Sequence, residues 1–471
     1  MSALLSEEDL NDFISPGLAC VKPVEVKNRV KEEPSEFEVG KEPNELEKVS
    51  ISLQDCLACA GCITSSEEIL LSRQSHTVFI DAWRNLGDET SLAVSISPQS
   101  RISLANYYGM ALDELDLCLA NMFKQFFRCR YLVGTQIGRD ITISRSNRAI
   151  MAARQEPSTA KKPLLSAVCP GFVLYAEKTK PELVPYLLNV KSPQQITGSL
   201  LKLSVNEKLY HLAIMPCFDK KLEASRPDSE QEVDCVITPR ELVTMFQELD
   251  IDLRHYKTQD TTILRSMSPA GWDLALHWSS NEGSSSGGFA FQYIREMHQL
   301  HPQARLQILE GKNSDVREYR LVDTTNDHQI ASAIELYGFR NIQNMVRTLT
   351  QSTKPRHTRL LKNRHKNTTQ QDKPQTPSLA TTHFIEVMAC PGGCINGGGL
   401  LQSEPSASAA TRKTLLQHLN TRYTGELTLT DPIHTGNQLD QTSIAHNKPF
   451  HYEFHPITSR SNDVVSLGNT W

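Results

Sequence analysis

The sequence predicts an α/β fold built on mostly parallel sheets, with a small cysteine-rich segment ahead of it. Three observations carry this. Short apolar runs that suit strands alternate with stretches of helical periodicity, an order that places crossover helices between parallel strands. Several cysteines directly follow those runs, where open α/β sheets build their sites beyond the carboxyl ends of the strands. A charged, proline-spaced stretch over residues 23–49 is too poor in apolar residues to build a core, and it separates the first cysteines from the first core element.

Taken in order, residues 1–19 read as a short helix closed by Ser15, Pro16 and Gly17, and residues 23–49 as a solvated linker. "SLAVSISP" (91–98) alternates like a strand and is the first expected core element. "SRISLANYYGMALDELDLCLANMFKQFF" then has helical spacing. Further on, "YLVGTQIGRDITIS" is strand-like, and "KPLLSAVCPGFVLYAEK" and "LYHLAIMPCFDKKLEA" each hold a short strand. "DCVITPRELVTMFQEL" reads as strand then helix, and "NEGSSSGGFAFQYIREMHQL" as a loop opening a helix near residue 287. That loop lacks the lysine of a phosphate-binding P-loop. The polar, basic stretch 351–382 has no apolar period and reads as a disordered, exposed insertion rather than a nucleic-acid contact.

The 471 residues suffice for two or three domains, and a balance of 39% hydrophobic and 22% charged residues with a net charge of −5 asks for neither a nucleic-acid nor a membrane partner. The acidic N-terminus lacks the pattern of a leader, and no apolar run approaches a membrane span, so a cytosolic or nuclear location is expected. The chain has 11 cysteines, an odd number in a large protein of a reducing compartment, which points to metal binding or catalysis rather than a disulfide scaffold.

Cys56, Cys59 and Cys62 lie in "CLACAGC", two successive C-x-x-C spacings that place three thiolates around one corner of a cubane. Ser65, Ser66 and Glu67 follow where a ferredoxin supplies its next cysteine, so the fourth ligand comes from elsewhere, with Cys20 the natural candidate. Zinc, which also takes four thiolates, is the alternative. A second, dispersed group comprises Cys169, Cys217, Cys390 and Cys394. Proline or glycine beside them favours turns that present ligands, and four thiolates from three loops suit a second cubane between two lobes. Cys118 and Cys129 lie in a helical apolar pattern and Cys235 begins a strand, and all three read as small buried hydrophobes.

"SAVCPGF", "MPCFDKKLEA", "VDCVITPREL", "GSSSGGFAFQYIRE" and "FIEVMACPGGCINGGG" together resemble the catalytic domain of iron-only hydrogenases. "LNDFISPGLACVKP" and "CLACAGCITSSEEILL" resemble more closely the hydrogenase-like cytosolic iron-sulfur assembly factors of the Nar family. The resemblance implies two [4Fe-4S] clusters, one held by Cys20, Cys56, Cys59 and Cys62, the other by Cys169, Cys217, Cys390 and Cys394. It places Cys394 where hydrogenases bridge to their di-iron unit, and matches Lys220 and Glu223 to the lysine and glutamate of the "MPC" motif. Val168 stands where hydrogenases carry a proton-relaying cysteine, so hydrogenase activity is not expected and no catalytic residue is assigned. A divergent hydrogenase or an electron-transfer protein is the alternative.

The organisation expected is an N-terminal cluster-binding segment with its linker (1–80), hydrogenase-like lobes at 90–210 and 211–350, the insertion 351–382, and a C-terminal part (383–471) completing the inner site. The implied partners are an upstream scaffold, the cytosolic iron-sulfur targeting complex and apoprotein clients. Trp471 is a candidate docking anchor, although it follows Thr470 where proteins that meet that complex usually carry an acidic residue or serine.

Overall fold

The computed structural model describes residues 74–155, 163–229, 231–351, 376–379, 381–401, 408–442 and 450–456. Cys20, Cys56, Cys59, Cys62 and Trp471, the helix expected at 1–19, the linker and most of the basic insertion lie outside the described residues.

Strands β1 (Thr90–Ile96), β2 (Tyr131–Gly134), β3 (Leu164–Leu165), β4 (Lys208–Ile214), β5 (Cys235–Ile237), β6 (Ser280–Asn281), β7 (Arg305–Glu310), β8 (Val316–Val322), β9 (Gln329–Tyr337), β10 (Phe384–Met388) and β11 (Leu429–Thr430) form three sheets. The first has four strands in the order β2-β1-β4-β5, all parallel. The second has five in the order β3-β10-β9-β8-β7, parallel from β3 to β9 and antiparallel from β9 to β7. The third is the short parallel pair β11-β6.

Local chemistry explains where elements start and stop. In β1 every residue from Leu92 to Ile96 is buried, as a central parallel strand covered on both faces requires. Ser97 then caps the helix Pro98–Tyr108 by accepting a hydrogen bond from the Ser100 N–H at 3.2 Å, with Pro98 in the first turn. After β5, Thr238 and Glu241 form a reciprocal capping box that starts the helix Pro239–Glu248. The core around the first sheet includes Phe79, Leu104, Leu115, Phe123 and Phe246, and that beside the second includes Phe289, Tyr293, Tyr319 and Phe384.

Several expectations need correction. The helical stretch after β1 is two helices, Pro98–Tyr108 and Leu112–Gln125, because Gly109 adopts a left-handed conformation that ends the first. "YLVGTQIGRDITIS" is a strand only to Gly134; from Gln136 it is the helix Gln136–Gln155, and Ile137 and Ile141, four apart, face its core. Cys129 is not helical but sits in the turn before β2. An unanticipated helix, His76–Arg84, buries Phe79 and Ile80 against the first lobe, worth on the order of 2 kcal/mol for each side chain. Gln74 is tied in too: its amide donates to Ser225 at 2.6 Å and its oxygen accepts from the Val236 N–H at 3.2 Å. The first lobe thus reaches back past residue 80.

The lobes are also not consecutive in sequence. The expected boundary at 210/211 falls inside β4, and the first sheet extends to β5, while β3 crosses to the second sheet beside β10. The antiparallel β7, β8 and β9 ladder was not anticipated either. Its strands carry alternating charges and exposed positions, which hide the pattern from a search for apolar runs.

Candidate metal centre

Four cysteines converge on the region between the two large sheets because each lies just beyond a strand end. Cys169 follows β3 and stands in extended conformation as the N-cap of the helix Pro170–Thr179, its side chain making no cap bond and therefore free to face elsewhere. Its Sγ accepts from the Ala389 N–H at 3.4 Å, which links it to the segment after β10. Cys217 lies between β4 and the helix Asp219–Ala224. Cys390 and Cys394 follow β10 in a tight turn in which the Gly393 N–H donates to the Cys390 carbonyl at 3.1 Å and the Gly397 N–H to the Cys394 carbonyl at 3.1 Å.

Glycine in this turn serves close approach. At Gly393 φ is +82°, and a side chain there would collide with the Ser286 hydroxyl, which accepts from the Cys394 N–H at 2.9 Å. At Gly397 the obstacle is the Pro216 carbonyl, one residue before Cys217, so the glycine lets the Cys394 turn lie against the Cys217 loop. The Pro216 carbonyl also accepts from the Gly399 N–H at 2.9 Å.

Burial, and for three of them the charge of neighbouring thiols, raises all four thiols. Burial pushes Cys169 up to about 12, with the charge of Cys394 adding to it. Burial also holds Cys217 and Cys390 well above the ordinary thiol range; Asp219, Cys390, Cys394 and Cys169 oppose ionisation of Cys217, and Cys169, Cys394 and Asp219 that of Cys390. Cys394 is raised by burial against the hydrogen bond from Ser286 and the charge of Lys220. Four such neighbours cannot all be thiolates without a cationic guest, and a metal supplies that charge.

The donor set limits the type of guest. Four thiolates around one zinc at about 2.3 Å would bring their sulfurs within about 3.8 Å of one another. Four thiols near enough to oppose one another's ionisation are a donor set that suits an iron-sulfur cluster as well as zinc. They are partly exposed, whereas Cys118, Cys129 and Cys235 are buried as the apolar context predicts.

Around the ligands lies a polar frame. Lys220 Nζ donates to Glu223 Oε2 at 2.8 Å and to the Val168 carbonyl, next to Cys169, at 3.1 Å. Glu223 Oε1 accepts from the Tyr452 hydroxyl at 2.8 Å. Residues 450–456 run across this face as a strap: the Lys191 N–H donates to the Phe450 carbonyl and the Tyr452 N–H to the Asn189 carbonyl, both at 2.8 Å, and Arg226 stacks on Tyr452 and Phe454. Sequence reasoning found Lys220 and Glu223 but missed Tyr452 and Ser286. The signal for Ser286 was present in the "GSSSGG" loop; for Tyr452, 229 residues from Glu223, there was none.

With this geometry in hand, comparison with known proteins is decisive. Residues 90–398 match the family described as "Iron only hydrogenase large subunit, C-terminal domain". The chain is 51% identical to the "Cytosolic Fe-S cluster assembly factor NAR1" of Saccharomyces cerevisiae and 54% identical to that of Kluyveromyces lactis, in each case over 100% of both chains. The chain belongs to the NAR1 family of hydrogenase-like proteins. Its fold is that of solved [FeFe]-hydrogenases: against a variant of HydA1 from Chlamydomonas reinhardtii the TM-score is 0.60 at 20% identity, covering 81% of this chain and 99% of the other. A second [FeFe]-hydrogenase structure gives 0.61 at 19% identity with the same coverage. The α/β architecture of two hydrogenase-like lobes is therefore the family's, and among the described residues no helix is long and apolar enough to cross a membrane.

Proposed function

We propose that the protein is a cytosolic iron-sulfur assembly factor that binds two [4Fe-4S] clusters, accepts clusters from an upstream scaffold and passes them to cytosolic and nuclear apoproteins through a targeting complex. The observation that carries the inner half of this reading is the set of four mutually interacting thiols, Cys169, Cys217, Cys390 and Cys394, at the strand ends of two sheets. These residues would hold the inner cluster, which supplies one-electron chemistry or structural cross-linking when bound. Cys20, Cys56, Cys59 and Cys62 would hold the outer cluster on a short tethered segment, the more accessible place for ligand exchange. Trp471 would serve as the docking anchor for the targeting complex.

The hydrogenase alternative is disfavoured by Val168, whose side chain neither gives nor takes a proton beside the inner site. The test is anaerobic purification with iron, sulfide and zinc analysis and an electron paramagnetic resonance spectrum of the reduced protein, repeated on Cys59→Ala and Cys394→Ala. About eight irons per chain, two cubanes' worth, with each variant losing a separate part of the signal, is the expected result. Zinc, or iron lost equally from both variants, would overturn the two-cluster reading. Hydrogen evolution after anoxic maturation would overturn the non-enzymatic one.

A further inference from the structure

The described residues bury five lysines and arginines: Arg101, Arg139, Lys191, Lys220 and Lys221. Four of them face a carboxylate, in the pairs Arg101 with Asp116, Lys191 with Glu232, Lys220 with Glu223 and Lys221 with Glu241. Arg139 does not. It is 3% exposed, and among the described residues its guanidinium donates only to neutral oxygens, the Tyr423 hydroxyl at 3.1 Å, the Ser280 hydroxyl at 3.3 Å and Asn281 Oδ1 at 3.4 Å. Its Nε is buried without a hydrogen-bond partner among the described residues. An uncompensated buried cation is among the costliest features a fold can carry.

Two carboxylates lie within electrostatic reach, and both are engaged elsewhere. Asp140 accepts from Gln136 and Thr435, each at 2.6 Å, and burial pushes it up to about 7. Glu386 accepts from the Ala290 N–H at 2.9 Å, Tyr337 at 3.0 Å and Ser284 at 3.1 Å; burial raises it too, and its neighbour across the β10–β9 ladder is another acid, Glu335. Groups biased toward the neutral form give Arg139 little to balance it. The remaining partner in reach is the metal centre. Arg139 binds Asn281, whose side-chain amide donates to the Gly287 carbonyl at 2.9 Å, and the adjacent Ser286 holds the Cys394 N–H. Arg139 is thus joined to the Cys394 backbone through Asn281 and the Ser286–Gly287 segment, while the other cation of this region, Lys220, is paired with Glu223.

We infer that Arg139 is the counter-charge of the inner centre: a cubane with four thiolates is a net anion, and the buried guanidinium offsets that charge, favouring both retention of the cluster and its one-electron reduction. The inference rests on the proposed cluster at Cys169, Cys217, Cys390 and Cys394, and the electron in the test comes from a chemical reductant. Arg139 acts as a positioning and charge-balancing residue and is not a ligand.

The test uses the full chain, isolated anaerobically, with Arg139→Gln, Arg139→Lys and the pair Cys394→Ala and Cys394→Ala/Arg139→Gln. In mediated redox titrations the inner signal should move to lower potential in Arg139→Gln and stay near the parent value in Arg139→Lys. In thermal melts Arg139→Gln should lower the melting temperature of the loaded protein, yet raise that of the Cys394→Ala protein, where the cation has lost its partner. An unchanged potential in Arg139→Gln, or destabilisation of equal size with and without Cys394, would assign Arg139 a purely structural role and overturn the inference. Failure of the double variant to fold would do the same. If the parent protein loses no iron on Cys394→Ala, it is the cluster reading itself that fails, a result distinguishable from the others.

Discussion

Replacing Gly397 with alanine tests whether the two ligand loops must lie in contact. The backbone at Gly397 has φ −60° and ψ 140°, which alanine adopts freely, so only space opposes the change. The new methyl would collide with the Pro216 carbonyl oxygen and lie 3.0 Å from its carbon and 3.2 Å from the Cys394 carbonyl oxygen. Backbone rather than a flexible side chain blocks it, so relief requires moving Pro216 and Cys217 away from the Cys394 turn. Overpacking of this kind costs about 1–3 kcal/mol. Because the strain separates two sets of ligands, most of it should appear as weaker cluster binding, about 5- to 150-fold at roughly 1.4 kcal/mol per tenfold. The assay is iron loss to a chelator under anoxia, followed by visible absorbance, with Gly425→Ala as the control. Gly425 lies in the helix Ala409–Glu426 with nothing within 4 Å of an added methyl, so this variant should be neutral or slightly stabilised. Iron retention in Gly397→Ala equal to that of the control would refute the close-approach argument.

Three further outcomes are expected. Tyr452→Phe leaves Glu223 Oε1 without its 2.8 Å donor and should cost about 1–3 kcal/mol in urea unfolding; an unchanged midpoint would mean the strap is not fastened there. Asp116→Asn breaks the buried pair with Arg101, whose guanidinium also stacks 4.6 Å from the Trp278 ring, and should cost about 3–5 kcal/mol, read by thermal or urea melts. Asp140 is raised to about 7 in the folded protein, so the native state holds a proton that the unfolded chain releases near pH 4. Its contribution to stability is full at low pH and is lost as pH rises through about 7, so Asp140→Asn should flatten the pH dependence of the urea midpoint between about 4 and 8; a slope unchanged by the substitution would assign the titration elsewhere.

The division between what the sequence displayed and what it hid has physical causes. β1, β4 and β5 were legible because a parallel strand buried on both faces is a compact apolar run with a helix start close behind it. The turns that carry Cys169, Cys390 and Cys394 were legible because turn chemistry is local: Cys-Pro-Gly and a glycine-rich Cys-x-x-x-Cys stretch announce a turn whatever surrounds them. The helix Gln136–Gln155 was hidden by the isoleucines and threonine of its first half, which suit a strand as well as a helix face. Lobe membership was hidden because β3 and β10 pair across more than two hundred residues of chain. Arg139 was illegible for a related reason. Its guanidinium donates to neutral oxygens of Ser280, Asn281 and Tyr423, which only assembly of distant segments brings around it.

The connections around Cys169 suggest why one framework serves both hydrogenases and assembly factors. At position 168 this chain uses the backbone, not the side chain: the Val168 carbonyl accepts a hydrogen bond from the Lys220 ammonium, Lys220 is held by Glu223, and Glu223 is held by Tyr452 of the strap. Each bond in that chain fixes a ligand loop in place, and none ends on a group at residue 168 that exchanges a proton with a bound metal. These bonds brace the loop that carries Cys169. If that reasoning holds, Val168→Cys should leave the fold, the strap and iron content intact, because the carbonyl bond to Lys220 is independent of the side chain. A loss of iron in that variant would show instead that the valine side chain itself packs the centre, and that the departure from the hydrogenase pattern is steric before it is chemical.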